Sequence, residues 1–211
     1  MVKVKVCGIT NDKDALWASG LGVDYMGFIF YKDSPRVITP KHALEIIKNL
    51  PPFICAVGVF VNEELKVIKS IAKKTGIKIV QLHGDESVEY CNELKLIIPG
   101  IEIMKAFRIE NEEILKNIPA YDVNYYLLDA YVEGVPGGTG EAFNWDLAVK
   151  AKECGKPVFL AGGLTPDNVK EAIEKVKPYC VDAASGIERL PRRKDYNKLH
   201  DFINKAREVR I

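Results

Sequence analysis

Apolar residues in this chain fall into eight short runs, at 2–7, 25–30, 55–61, 78–83, 102–107, 125–129, 157–161 and 181–185. Their length, and their content of β-branched and aromatic residues, predict β-strands. Between them lie segments with apolar residues at i, i+3, i+4 spacing and a polar opposite face, as in KHALEIIKNL, EELKVIKSIAKK, SVEYCNELKLI and DNVKEAIEKV. These predict amphipathic helices. Thr39-Pro40 and Thr165-Pro166 each set a capping residue before a proline and so mark helix starts. Strict alternation of strand and helix predicts a parallel sheet. Eight units in 211 residues give about 26 residues each, which is short for a closed (β/α)8 TIM barrel but feasible with few insertions. No composition shift or linker divides the chain, so residues 1–211 are expected to form one α/β domain. An open doubly wound sheet is the structural competitor.

Side chains alternate between the two faces of a strand, so Val2, Val4 and Val6 share one face and Lys3, Lys5 and Cys7 the other. In a barrel the valines would pack outward on the helices. The lysines and the cysteine would then enter the lumen, with Cys7 at the C-terminal rim, where barrel enzymes do their chemistry. Gln81 and His83 end the fourth run and Asp129 ends the sixth, so polar side chains recur at strand ends around the ring. Asp182, in the eighth run, could pair across the closure with Lys5 or Lys3. Lys105, in the fifth, is a similar interior candidate.

Composition narrows the class. A formal charge of +1 and a pI near 7.6 give no excess that would draw nucleic acid or an anionic membrane. The RRK run at 192–194 and the KK at 73–74 are expected to be solvated surface. No apolar run reaches the roughly 20 residues of a membrane span, and the N-terminus lacks a secretory pattern. Five scattered cysteines without a C-x-x-C pair suit a reducing compartment, hence a cytoplasmic location. Cys55, Cys91, Cys154 and Cys180 read as packing residues. The three histidines, at 42, 83 and 200, are isolated and suggest no metal site. A single glutamine, Gln81, amid abundant isoleucine, lysine and glutamate leans towards a heat-adapted source.

KVCGIT, SPR, GVFVN, QLHG, LLDA with GVPGGTGEAFNW, LAGGLTPDNV and VDAASGIE occur in this order across nearly the whole chain. As an ordered set they resemble the phosphoribosylanthranilate isomerase family of tryptophan biosynthesis. The resemblance implies a (β/α)8 barrel that converts an aminoaldose to an aminoketose by Amadori rearrangement, with no metal and no organic cofactor. That chemistry needs an acid to open the furanose ring, a base to take the C2′ proton, and a grip on two anionic ends. Cys7 resembles the family's general base, a role that requires its thiol to ionise near working pH. Lys5, on the same face, could stabilise the thiolate. Asp129 resembles the general acid that protonates the ring oxygen.

The planar fork of Arg36 matches the carboxylate of anthranilate. Gln81 and His83 are further rim candidates for substrate contact. Gly162 and Gly163 after the seventh strand, and Ser185 and Gly186 after the eighth, are expected to seat the phosphate. The glycine-rich stretch after the sixth strand lacks the Gly-Lys-Ser/Thr ending of a nucleotide loop and reads as a loop that closes over substrate. Trp145 and Phe143 are expected to anchor the helix that follows. Competing readings are an indole-glycerol-phosphate synthase, a ribulose-phosphate epimerase, or a non-catalytic phosphate-sugar binding module. The synthase would want a central lysine acid and an N-terminal extension, and the epimerase several metal-ligating strand ends. The expected partner is a small-molecule substrate, with no nucleic acid or membrane, in a monomer or homodimer.

Overall fold

The structure is a computed structural model that describes residues 1–109, 111–129 and 145–210. Eight parallel strands close in sequence order into a barrel. They are β1 (Lys3–Cys7), β2 (Tyr25–Ile29), β3 (Cys55–Phe60), β4 (Ile79–Leu82), β5 (Glu102–Arg108), β6 (Tyr125–Asp129), β7 (Val158–Ala161) and β8 (Cys180–Ala183). Closure is made by β1 against β8, with Lys5 opposite Asp182. Around the barrel run α1 (Asp12–Gly20), α2 (Pro40–Lys48), α3 (Leu65–Thr75), α4 (Val88–Ile97), α5 (Glu112–Asn117), α6 (Trp145–Ala151), α7 (Val169–Val176) and α8 (Tyr196–Glu208). A small hairpin, β9 (Glu188–Leu190) with β10 (Arg193–Lys194), sits between β8 and α8.

Local signals set these elements. Thr39 caps α2 through its side-chain oxygen, with Pro40 in the first turn. Asn11, Ser87 and Asp195 cap α1, α4 and α8 in the same way. The Thr165-Pro166 signal is displaced, because α7 begins at Val169 rather than at the proline. Thr165 and Asn168 instead close a preliminary turn, in which the Asn168 side chain accepts from the Thr165 N–H at 2.8 Å. Trp145 is buried at the start of α6. The glycine-rich stretch and Phe143 lie outside the described residues.

The period-two reading of β1 holds. Val2, Val4 and Val6 pack with the helices in the main apolar core. A second, lumenal core contains Tyr25, Val57, Ile79, Met104, Leu127, Phe159 and Cys180. Phe159 makes edge contacts with Tyr25 and Tyr125 at 5.1 and 5.3 Å between centroids, so the lumen is filled rather than hollow. Above this plug Lys5 and Asp182 form a buried pair at 2.7 Å. Lys3 turns to the N-terminal mouth and meets Asp24 at 3.0 Å.

Lys105 is not lumenal. Its neighbours Met104 and Ala106 take the inner face, so the alternation of β5 turns Lys105 outward. There it is buried against Glu86 at 2.9 Å and the Gly84 carbonyl at 2.7 Å. The surface reading of the RRK run holds for Arg192 and Arg193 but fails for Lys194, whose side chain is 0% exposed.

Candidate active site

A cavity of about 270 Å³ opens at the C-terminal ends of the strands. Cys7, Gln81, His83, Asp129, Gly162, Gly163, Ser185 and Gly186 all line it, which brings strand ends from both sides of the ring to one space. Ile29, Val59, Val61 and Leu164 supply apolar wall.

Cys7 is the last lumenal residue of β1, and two glycines explain why it can sit there. Gly27 stands opposite it on β2. A Cβ at residue 27 would lie 2.6 Å from the Cys7 sulfur, so only glycine leaves the thiol its space. Gly8 takes φ +76°, a left-handed turn that ends the strand, and the Arg36 side chain passes over its bare Cα. Burial pushes the Cys7 thiol up from its ordinary value, against the opposing pull of the Lys5 and Lys194 cations; Asp182 adds to the rise. The Lys5 cation lowers the thiol's pKa, but burial outweighs it. Its ammonium is committed first to Asp182.

On the opposite side, Gln81 Nε2 lies 2.8 Å from His83 Nδ1, and His83 Nε2 lies 3.0 Å from Asp129 Oδ2. A donor from Gln81 at Nδ1 makes that nitrogen an acceptor and leaves the ring proton on Nε2, aimed at the carboxylate. Gln81 and His83 thus orient Asp129 as well as facing the cavity. The amide oxygen of Gln81, Oε1, is buried with no hydrogen-bond partner among the described residues.

The loops after β7 and β8 form the third corner. Gly162 and Gly163 have φ of +86° and +64°. Ser185 and Gly186 open a single 3-10 turn, Ser185–Ile187, just beyond β8. A Cβ on Gly186 would overlap the Leu164 carbonyl oxygen, so the two loops can approach only because residue 186 is glycine.

Arg36 differs from expectation. It is absent from the cavity lining, because its guanidinium is paired with Glu188 through Nε at 2.9 and 3.1 Å and Nη2 at 2.6 Å. Nη1 takes no part in that pair. A further cavity of about 500 Å³ adjoins the first across Val61 and His83, but its buried charges, Glu86 and Lys105, neutralise each other.

Comparison with known proteins settles which barrel this is. Residues 4–205 match the family model described as N-(5′-phosphoribosyl)anthranilate isomerase. The chain belongs to the phosphoribosylanthranilate isomerase family. It is 48% identical to the N-(5′-phosphoribosyl)anthranilate isomerase of Trichlorobacter lovleyi over 209 residues, covering 99% of this chain and 100% of that one. It is 50% identical to that of Geotalea uraniireducens over 207 residues, covering 98% and 99%. Among solved structures, the Thermotoga maritima isomerase superposes with a TM-score of 0.91 at 39% identity, covering 99% of this chain and all of that one. Another phosphoribosyl anthranilate isomerase, solved with reduced 1-(o-carboxyphenylamino)-1-deoxyribulose 5-phosphate, superposes at 0.88 with 38% identity over 99% and 100%.

Sequence reasoning missed three residues that pack around the groups lining this cavity or reaching towards it. Gly27 carries no chemistry of its own, and its need appears only when β1 and β2 are paired. Glu188 lies within the VDAASGIE stretch, where nothing in the sequence announces its partner Arg36. Lys194 sits in a run of cations whose neighbours are exposed, which hid the one that is buried.

Proposed function

We propose that the chain performs the aldose–ketose rearrangement of N-(5-phosphoribosyl)anthranilate to 1-(2-carboxyphenylamino)-1-deoxyribulose 5-phosphate, an isomerase step of tryptophan biosynthesis. One observation supports this above others: a sulfur base candidate and a carboxyl acid candidate, Cys7 and Asp129, line one cavity together with a glycine-edged anion seat. Asp129 gives a proton to the ring oxygen as the C1′–O bond breaks and the anilino nitrogen lone pair forms C1′=N. Cys7, as thiolate, then takes the C2′ proton, and the C2′–H electrons become the C1′=C2′ bond of an amino-enol. Loss of the enol proton and protonation at C1′ give the ketose. The reaction conserves oxidation state overall, and these steps call on side chains alone.

Gly162, Gly163, Ser185 and Gly186 offer main-chain groups to the phosphate. Arg36, held by Glu188, offers its remaining N–H groups to the anthranilate carboxylate. Gln81 and His83 touch substrate at the rim and orient Asp129. A cytoplasmic monomer or homodimer acting on a small molecule, apart from nucleic acid and membrane, completes the reading. No helix among the described residues is long and apolar enough to cross a membrane, and one relative of known structure, from Thermotoga maritima, is described as dimeric.

The test follows loss of the fluorescent anthranilate derivative with wild type, Cys7→Ser and Asp129→Asn. Wild type should consume it, and each variant should lose roughly a hundredfold or more, the scale of a missing general acid or base. Binding without turnover would instead identify a sugar-phosphate binding module. Full activity in either variant would overturn its assigned role.

A further inference from the structure

Among the described residues the β9–β10 hairpin is the one sheet element outside the barrel, and its composition is odd for a piece of packing. From 188 to 194 the only buried side chains are Glu188 and Lys194; the residues between them are exposed. A turn that served only to fill a core would bury apolar groups, since a buried ion pair is seldom more stabilising than a hydrophobic replacement. The charge at this point therefore calls for another reason.

Its contacts supply one. The Lys194 ammonium has three N–H donors, and it gives them to the Cys7 carbonyl at 2.7 Å, the Ala184 carbonyl at 3.0 Å and Glu188 Oε1 at 3.2 Å. Cys7 is the candidate base. Ala184 immediately precedes Ser185 and Gly186 of the anion seat. Glu188 holds the Arg36 guanidinium through both of its oxygens. The hairpin is itself tied to the loop after β1, through Thr10 Oγ1 donating to the Arg192 carbonyl at 3.1 Å, and to the first turn of α1, through the Lys194 N–H donating to Asp14 at 2.9 Å. Three strand-end loops of the site are thus joined at one nitrogen.

We infer that Lys194, acting with Glu188, is a positioning residue for the rearrangement: its buried ammonium sets the Cys7 peptide, the entrance of the anion seat and the Arg36 fork as a single unit. The inference deepens the proposed function, since it rests on the reading of Cys7 as base and Arg36 as carboxylate partner. Two separable effects follow. Through the Cys7 carbonyl and the nearby charge, Lys194 acts on the thiol, which also faces Lys5 from β1, Asp182 from β8 and Arg36 from the loop after β2. Through Glu188 it acts on where the Arg36 fork points, and so on substrate capture.

The experiment uses Lys194→Met and Glu188→Gln with two readouts. The first is the pH dependence of Cys7 alkylation by iodoacetamide, read on the Cys7 peptide by mass spectrometry, which needs no substrate. The second is steady-state kcat and KM. Lys194→Met should move the alkylation profile to higher pH and lower kcat roughly tenfold to a hundredfold, the cost of a small displacement of a reacting group. Glu188→Gln, which keeps the shape but not the charge, should chiefly raise KM. A folded Lys194→Met whose alkylation profile overlays the wild type's would overturn the inference, as would an unchanged KM in Glu188→Gln. Should Lys194→Met fail to fold, the KM of Glu188→Gln decides alone. Wild type without turnover would sink the proposed function instead, and the alkylation shift would still judge Lys194.

Discussion

Replacing Gly27 by alanine is the sharpest test of the claim that the thiol of Cys7 does the work. The new methyl would lie 2.6 Å from the Cys7 sulfur, 3.1 Å from its Cα and 3.2 Å from its Cβ. Ordinary contact begins at about 3.5–4.0 Å, so the sulfur must retreat by about 1 Å. It cannot do so by turning a flexible end, because the Cα of Cys7 is crowded as well and β1 is hydrogen-bonded on both sides. Overpacking of this kind costs about 1–3 kcal/mol. For a chain of this size that corresponds to a fall in Tm of roughly 2–12 °C. A 1 Å misplacement of a reacting group can cost about a hundredfold in rate. The expected result is therefore a folded protein with a modestly lower Tm and a large loss of kcat, measured by thermal unfolding and by the fluorescence assay. Gly20→Ala is the control: nothing lies within 4 Å of its added Cβ, and in a helix the change should be neutral or stabilising by up to about 1 kcal/mol. A Gly27→Ala protein with lowered Tm but wild-type kcat would refute the assignment of Cys7 as base.

Since burial holds the Cys7 thiol above its ordinary value, kcat/KM should climb as pH rises from 7 to 9 and the thiolate fraction grows, and a flat profile would contradict the role. Lys5→Met should shift that limb further to the alkaline side, because it removes a cation that opposes the rise. The same substitution leaves Asp182 buried without its partner and should destabilise by roughly 3–5 kcal/mol, whereas Lys5→Met with Asp182→Leu should recover much of the loss in thermal unfolding. Gly186→Ala should raise KM and lower Tm, since the clash with the Leu164 carbonyl is backbone against Cβ and neither can yield. Gly163→Ala meets open space and should cost only the roughly 1–2 kcal/mol of a left-handed alanine, with a smaller rise in KM.

Much of this barrel was legible because period two and period 3.6 are written plainly in the chain. The eight predicted strands lie within a residue or two of those observed, and the face alternation of β1 suffices to put Cys7 and Lys5 in the lumen. The same rule corrects the interior reading of Lys105, because Met104 and Ala106 flank it and take the inner face. Closure of β8 on β1 offered Asp182 either Lys5 or Lys3 as partner, and the register selects Lys5. What escaped was whatever depends on distant loops meeting. Residue 36 looked free to bind a substrate anion, and nothing near it announces that Glu188, 152 positions away, occupies most of its fork. Lys194 resembles its exposed neighbours in every respect except where the hairpin puts it. The displaced start of α7 is a smaller case, in which Thr165 and Pro166 made a turn that a cap signal cannot be told from.

The site contains a conflict that its charges only partly resolve. On the proposed reading, a cavity that keeps water from an amino-enol must bury Cys7 as its base, and burial disfavours the thiolate. Two cations oppose that penalty from different directions, Lys5 from the lumen and Lys194 from the hairpin, yet each is itself neutralised by a carboxylate, Asp182 and Glu188. This pairing is a physical necessity, since an isolated ammonium at either place would carry its own desolvation cost. The consequence is a thiol whose pKa stands above its ordinary value and whose thiolate is a stronger base, because proton affinity rises with pKa. Such a base suits abstraction of a carbon-bound proton, where affinity for the proton matters as much as the population of the ionised form. The strand that ends on a thiol and then a glycine is the local expression of this arrangement: the thiol needs the last lumenal position, and the glycine turns the chain away so that Arg36 can cross behind it.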